Sequence, residues 1–526
     1  MRSPLIIGTR GSDLALWQAN FIKRCIEDLG HACELKIIRT QGDNMQDLSP
    51  QKMEGKGFFT KEIEDALLSR ETDIAVHSFK DLPTESPEGL TIAAVSKRED
   101  PSELLLISKS AAHPKLKLQL KPNAVVGTSS ARRKSQLLAY RPDLKLEDIR
   151  GNVPTRLQKL RDGKYDAILL ATAGVERLEL DTSDFHVNKL APTEFIPAPA
   201  QGFLAVQTRS DDAELIELLS AIDNNEDRSI AELERRVLNL FQGGCQTPVG
   251  VYGTYDEEKE MYAIRVAKSD AWDKLPMTIY SESSDKHQLA ERAVSKIRGI
   301  QPCRVYITRE KREGSYLRSV LEGNGFSLEE KALIHFTQID FKTIPPCDWV
   351  FFSSKHAVKY FFNQRPQLKD QRFACVGKAT AEELRRFGKR AEFIGSDGDT
   401  RMTGKKFASL AGSATVLFPQ AKGSLRSIQQ QFVRKEQTVD LVVYETTKMN
   451  PKDAPDADVL VFTSPSNAEA WLEHHSMRRD QKAVAMGDAT AHALKRKGIY
   501  AEALADSFDD AGLARAIFGA STKTER

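Results

Sequence analysis

Residues 124–136 read AVVGTSSARRKSQ. An apolar run, Ala124 to Gly127, has the length and composition of a buried strand. It stops at a glycine, and Thr128-Ser129-Ser130 then supplies hydroxyls suited to an N-cap, followed by a helical pattern with Arg132 and Arg133 in its first turn. A strand running directly into a helix is the repeating unit of layered α/β proteins. The same unit recurs on both sides. Leu5 to Gly8 is strand-like, and Ser12 to Leu29 has helical spacing (Leu16, Phe21, Ile22, Cys25, Ile26, Leu29) with Arg10 just before it. Ile74 to Ser78 and Ala167 to Ala171 read as buried strands, which predicts mainly parallel sheets. Arg150-Gly151-Asn152 precedes a helix with Pro154 in its first turn and Arg156 just inside. A cation in a first helical turn opposes the macrodipole by roughly 0.3–1 kcal/mol. Repeating the arrangement at three junctions makes sense where anions are received by hydroxyls, free N–H groups and guanidinium forks together.

Length and composition bound the rest. At 526 residues the prior is three to four domains, and 40% apolar residues give each a core. With 76 Lys+Arg against 74 Asp+Glu the net charge is +2, which excludes charge-driven bulk binding to nucleic acid. No run of 18 apolar residues is present, and Arg10 and Asp13 interrupt the start, so neither a membrane span nor a signal peptide is expected. Six cysteines without a CxxC point to a reduced cytoplasm. HExxH, GxGxxG and GxxxxGK[ST] are absent, and no metal site is expected.

Residues 213–298 change to a small α+β pattern, and Gly299-Ile300-Gln301-Pro302 reads as a linker. The part that follows contains a duplication. An offset of 110 residues joins Phe352 and Ser354 to Phe462 and Ser464, and VGKATAEELRRFG to MGDATAHALKRKG. Two such βα copies predict a two-lobed α/β domain.

Two further constellations carry possible chemistry. In HSFKD, Ser78, Lys80 and Asp81 stand just past the end of a buried strand, where open α/β sheets bind ligands; the alternative is a charged turn closing the strand. In QGGCQTPVG, Cys245 follows two glycines; it is either a nucleophile or attachment point, or a small buried hydrophobe.

Together, GTRGSDLALWQA, GKGFFTKE, DIAVHSFKDLP, VVGTSSARRKSQL, IRGNVPTRL, YDAILLATAGVERL, PAPAQG and QGGCQTPVG closely resemble the porphobilinogen deaminase (hydroxymethylbilane synthase) family over residues 3–298. Residues 303–520, with VYITRE, VFFSSKHAV, LVVYETT and VFTSPSNA, resemble the uroporphyrinogen-III synthase family. The resemblance implies a fusion of consecutive enzymes of tetrapyrrole biosynthesis. It implies two periplasmic-binding-protein-like α/β domains (1–97 with 195–215, and 98–194), a small α+β domain (216–299), and a two-lobed α/β synthase domain (303–526), with lobe A at about 303–337 and 447–520 and lobe B at about 338–446.

Four porphobilinogens would be joined with release of ammonia on a dipyrromethane cofactor, held by a thioether to Cys245. Asp81 would be the catalytic carboxylate. Lys80, Ser78, Thr128, Ser129, Ser130, Arg132, Arg133, Arg150 and Gly151 would hold the cofactor, and Arg10, Ser12, Lys56, Arg150, Arg156 and Arg177 the substrate. The segment Gln46 to Gly57 would cover the cleft. The synthase half would close hydroxymethylbilane with inversion of its last ring, with Tyr444 assisting departure of the hydroxyl and Thr380, Ser464, Asn467 and Thr490 binding carboxylates; no acid–base pair stands out there. Phe79 and Ala200 depart from the deaminase pattern, Ala200 standing where Gly is common. The expected partners are these small molecules alone, with neither nucleic acid nor membrane, and the expected state is a monomer. Two alternatives remain at this point: an active deaminase with a non-catalytic C-terminal domain, and a non-catalytic anion-binding protein.

Overall fold

The structure is a computed structural model, and it describes residues 4–40, 60–242, 247–395, 400–449 and 455–523. By contact the chain divides into two units, residues 1–330 with 455–465 and 477–526, and residues 331–454 with 466–476.

Among the described residues the first unit contains four sheets. In one, strands Cys33–Ile37, Leu5–Thr9 and Ile74–Ser78 are parallel, while Leu204–Arg209 inserts antiparallel between Ile74–Ser78 and Leu90–Val95. A second repeats the plan: Lys145–Glu147, Val125–Gly127 and Ala167–Ala171 are parallel, and Glu103–Ser108 runs antiparallel beside them, next to Phe185–Leu190. Both sheets are therefore mixed rather than mainly parallel. The reason is connectivity, because the chain crosses from the first sheet to the second and returns after Leu190, and each crossing strand enters against the local direction.

The expected helices are present and capped. Ser12 accepts from Ala15 N (3.4 Å) at the start of Asp13–Asp28, Ser130 from Arg133 N (3.4 Å) at the start of Ala131–Tyr140, and Asn152 from Thr155 N (2.9 Å) at the start of Val153–Arg161. Each side-chain oxygen satisfies a first-turn N–H that the helix itself leaves unpaired.

The third sheet is an antiparallel meander of Val249–Asp256, Met261–Lys268 and Met277–Ser283, with helices Asn225–Leu240 and Lys286–Gly299. The fourth is a parallel sheet in the order Ser327–Glu330, Arg304–Ile307, Val459–Phe462, Lys482–Ala485, Ala503–Leu504. These two do not meet through a free linker. Ile300 is buried and bridges Thr522, Gln301 N donates to Ser521 O (3.0 Å), and Lys523 N donates to Gly299 O (3.1 Å). One apolar core runs from Leu137 of the second sheet's helix through Val237, Val266 and Ile279 to Leu317 and Phe518. Tyr316 stacks on Tyr140 at 4.4 Å. Arg515, 2% exposed, donates to Asp506 (2.8 Å) and to the Thr193 carbonyl (3.0 Å), and Arg265 of the meander binds the other Asp506 oxygen (2.7 Å). The first sheet keeps a separate core around Ile7, Ile22, Ile74 and Val206.

The second unit holds a six-stranded sheet, in the order Ile334–Gln338, Thr438–Lys448, Val416–Ala421, Trp349–Phe352, Arg372–Cys375, Phe393–Ile394. The offset of 110 recurs in the structure: Trp349–Phe352 and Val459–Phe462 are equivalent strands, as are Arg372–Cys375 and Lys482–Ala485. The lobe boundaries differ from the expected ones. Ile334–Gln338 pairs antiparallel with Thr438–Lys448, so residues 334–337 and 447–448, expected in the first lobe, join the second unit's sheet, and residues 466–476 also group with that unit.

Candidate active sites

The strand Ile74–Ser78 ends in a single 3-10 turn, Phe79–Asp81, which turns the Asp81 carboxylate out to solvent. Ser78 Oγ accepts from Gln18 Nε2 (2.8 Å). Lys80 donates to Gln201 Oε1 (3.3 Å) from a half-buried position, and burial lowers its pKa while Asp81 opposes the shift. Arg235 laces this turn from outside. It donates to the carbonyls of Phe79 (3.0 Å), Leu82 (3.0 Å) and Pro83, and its guanidinium lies 4.3 Å from the Phe79 ring centroid. That contact gives the departure at Phe79 a physical role.

Across from this turn, Arg132 and Arg133 meet a residue that sequence reasoning missed. Glu103, fully buried, accepts from Arg132 (2.7 Å) and Arg133 (2.6 Å). Burial alone would raise its pKa, but the two arginines prevail and hold it at about 2. Each arginine also donates to a main-chain carbonyl, Arg132 to Ile196 (2.9 Å) and Arg133 to Leu169 (3.0 Å). The pair is therefore partly neutralised by the protein itself. Arg156, half-buried, donates to Gly151 O (2.8 Å); burial and the neighbouring Arg133 lower its pKa to about 10, with Asp81 opposing. Gly151 has φ +105, and a Cβ there would come within 2.6 Å of Thr155, so this turn requires glycine. Arg150 shares the same neighbourhood. Ser129 both donates to and accepts from the Ile149 main chain (2.8 and 3.0 Å), and Thr128 Oγ1 accepts from Ser130 N (3.3 Å). Their hydroxyls shape the turn. Arg10 and Ser12 stand at the equivalent junction of the first sheet, next to the strand bearing Ser78.

Arg177 is buried at the end of Thr172–Arg177, donates to Gly202 O (2.7 Å), and lies 5.6 Å from the Trp17 ring. Among the described residues, Nε of Arg133 and Nε of Arg177 are buried without a hydrogen-bond partner. The return segment is fixed by a second buried acid. Glu234 binds Arg98 (2.9 and 3.2 Å) and accepts from Ala200 N (2.6 Å) and Gly253 N (2.7 Å). Cys245, Lys56 and the segment Gln46 to Gly57 lie outside the described residues.

Among the second unit's candidates, Thr380 follows the carboxyl end of Arg372–Cys375, while Tyr444 lies within Thr438–Lys448. Tyr444, nearly buried, has its hydroxyl 3.2 Å from Ser354 Oγ, and burial raises its pKa. Thr380, near the start of Lys378–Arg386, and Asn467, in Pro465–Leu472, have buried side chains. In the first unit, Thr490 is likewise buried near the start of Asp488–Lys495, and Ser464 directly precedes Pro465–Leu472. Threonines buried this way leave main-chain N–H groups, rather than their own hydroxyls, as the anion donors.

Comparison with known proteins gives consistent matches. Residues 5–217 match the family model "Porphobilinogen deaminase, dipyromethane cofactor binding domain", and residues 301–515 match "Uroporphyrinogen-III synthase HemD". A porphobilinogen deaminase of Nitratiruptor sp. is 43% identical over 290 residues, covering 55% of this chain and 91% of that protein. One from Nitratidesulfovibrio vulgaris (strain Miyazaki F) is 49% identical over 247 residues, covering 47% of this chain and 76% of that protein. The crystal structure of a uroporphyrinogen-III synthetase from Helicobacter pylori aligns over 41% of this chain and 98% of its own, at 20% identity and a TM-score of 0.32.

Proposed function

The chain belongs to the porphobilinogen deaminase family over its N-terminal half and carries a uroporphyrinogen-III synthase domain after it, and on that premise we propose how its own residues divide the work. It is a bifunctional enzyme of tetrapyrrole biosynthesis. It joins four porphobilinogens into hydroxymethylbilane with loss of ammonia, on a dipyrromethane cofactor, and closes the product to uroporphyrinogen III.

The cationic neighbourhood fits an acidic, pyrrole-based group. Lys80 and Arg156 both neighbour the exposed Asp81 carboxylate, Arg132 and Arg133 neighbour Lys80, and Arg150 neighbours Arg156; among the described residues the buried Nε atoms of Arg133 and Arg177 lack acceptors. Arg132, Arg133 and Arg150, with the Thr128–Ser130 and Gly151 turns, hold the cofactor's acetates and propionates; Cys245 anchors it by a thioether. When bound, the cofactor supplies the tethered pyrrole carbon from which the chain grows. Asp81 stabilises the cation that each porphobilinogen becomes as ammonia leaves, and accepts its pyrrole N–H. Arg10, Ser12, Lys56, Arg156 and Arg177 receive the carboxylates of incoming and growing substrate. In the synthase half, Tyr444 donates to the departing hydroxyl, while main-chain donors near Thr380, Ser464, Asn467 and Thr490 hold carboxylates. The reading further takes the enzyme as a cytoplasmic monomer without nucleic-acid partners. A net charge of +2 and five described cysteines, all unpaired, support it. Among the described residues no helix is long and apolar enough to cross a membrane.

The observation that carries Asp81's role is an exposed carboxylate with Lys80 and Arg156 as its neighbours. The test is Asp81→Ala. Porphobilinogen consumption should fall by on the order of 100-fold or more in kcat, with an unchanged melting temperature. Near wild-type turnover would overturn the role.

A further inference from the structure

Closing the ring with loss of water develops positive charge on a pyrrole, and none of the synthase-half residues assigned so far accepts its N–H. When a hydroxyl leaves a pyrrolic methylene, the C–O electron pair departs with oxygen. The ring nitrogen's lone pair then makes up the deficit, and the pyrrole N–H becomes strongly acidic. Some group should accept that N–H.

One side chain beside Tyr444 is unused by everything described so far. His356 lies in the first turn of Lys355–Phe362, directly after the carboxyl end of the strand Trp349–Phe352, where open α/β sheets bind ligands. Its ring stacks on Phe336 at 4.0 Å and lies 6.2 Å from the Tyr444 ring; Phe336 is edge-on to Tyr444 at 5.8 Å, and Tyr360 stacks on Tyr444 at 5.4 Å. The supporting polar bonds are in place: Tyr360 donates to Phe336 O (2.9 Å), and Ser354 Oγ accepts from Ala357 N (3.0 Å). The Ser354 and Tyr444 hydroxyls lie 3.2 Å apart and either can donate; when Ser354 donates, the phenol proton is free for substrate. Among the described residues none hydrogen-bonds to the nitrogens of His356. Burial first, then Lys355 and Lys359, lowers its pKa to about 4, so at neutral pH the ring is uncharged and one nitrogen is an acceptor.

We propose that His356 is a catalytic residue of the synthase half, accepting the pyrrole N–H of the cation formed as the hydroxyl leaves, within an aromatic box of Phe336, Tyr360 and Tyr444. This rests on the synthase reading above. The hydroxyl takes the Tyr444 proton and departs as water. The methylene bonds first to the last ring's substituted α-carbon, which carries no hydrogen; the bond from that carbon to its existing bridge then breaks, the freed bridge methylene bonds to the ring's unsubstituted α-carbon, and the proton that carbon releases returns to Tyr444. The net loss is one water. The neutral imidazole does in one half what the Asp81 carboxylate does in the other, and the π-faces lower the cost of positive charge in a partly buried place.

The test feeds porphobilinogen to the full chain and separates the oxidised porphyrins by chromatography. His356→Phe keeps the stack on Phe336 but removes the acceptor. Porphobilinogen consumption should stay at the wild-type rate, while type III formation slows on the order of 100-fold and type I appears. His356→Gln, whose amide oxygen can accept, should recover part of the type III yield. Phe336→Leu should act in the same direction as His356→Phe with an unchanged melting temperature, and it decides the matter if His356 variants fold poorly. Wild-type proportions of type III in both His356→Phe and Phe336→Leu would overturn the proposal. Type I from the unmodified chain would instead overturn the synthase reading itself.

Discussion

Ala200 shows what a single backbone angle can reveal. It sits at φ +59, in the left-handed region, where a side chain costs about 1–2 kcal/mol. Its N–H is held by Glu234, so the turn cannot relax without breaking that bond. Ala200→Gly should therefore raise stability by roughly 0.5–1 kcal/mol, read as a higher melting temperature with unchanged porphobilinogen turnover. Glu103 makes the opposite case. Glu103→Gln leaves Arg132 and Arg133 as under-compensated buried charges and should cost about 3–5 kcal/mol. Its folded pKa, about 2, lies below the unfolded glutamate value. The wild-type contribution is thus complete above pH ~4.3 and lost as pH falls toward 2. The variant's denaturation midpoint should accordingly vary less with pH across that window. None of this was legible in the sequence. Glu103 opens an ordinary apolar strand some 30 residues from its partners, and pattern alone cannot show which acid meets a conspicuous arginine. Arg132, Arg133 and Arg156, by contrast, were legible because they stand at helix starts where local physics disfavours them.

The element that carries the deaminase carboxylate is a three-residue turn, too short to hold itself. From the helix Asn225–Leu240, Arg235 binds the turn's Phe79 carbonyl and those of Leu82 and Pro83 just after it. Arg235→Met should lower kcat for porphobilinogen by roughly 10- to 100-fold with a smaller change in KM, because the turn loses its angle rather than its charges. Rapid-quench measurement of ammonia release would check the split. The helix's apolar face is plain in the sequence; its tertiary task is not, since Arg235 looks like any solvated cation until the turn is seen beside it. The helix Asp510–Ala520 raises the same issue on a larger scale. Nearly every residue is buried, including Arg515. An amphipathic pattern needs one covered face; this helix is covered on most sides, by the meander as well as by its own sheet. Arg515→Met should lower the melting temperature of the deaminase half, monitored by porphobilinogen turnover after heating, although residue 515 lies in the other enzyme's sequence. Unchanged heat resistance would show that the contact with Thr193 carries no load.

For the whole molecule, the sequence separates two enzymes cleanly while the structure does not. The α/β class, the small α+β domain and the internal duplication were legible because each rests on local periodicity. The continuous core from Leu137 to Phe518 was not, because apolar residues in a helix do not declare which neighbour they will meet. A chain ending at Gly299 would expose Ile279, Leu289 and Val294 where Asp510–Ala520 now lies, and it should aggregate or melt several degrees earlier than the full chain. Differential scanning calorimetry of the intact protein should show the meander and the fourth sheet unfolding in one transition. The same core also has a consequence for time. Polypeptide leaves the ribosome at about 5–20 residues per second, so some 220 residues, or roughly 10–45 s of translation, separate the meander from the helix that covers it. For that interval the nascent deaminase carries an uncovered apolar face, and slowing elongation late in the message should make its yield depend on the cell's supply of holding chaperones.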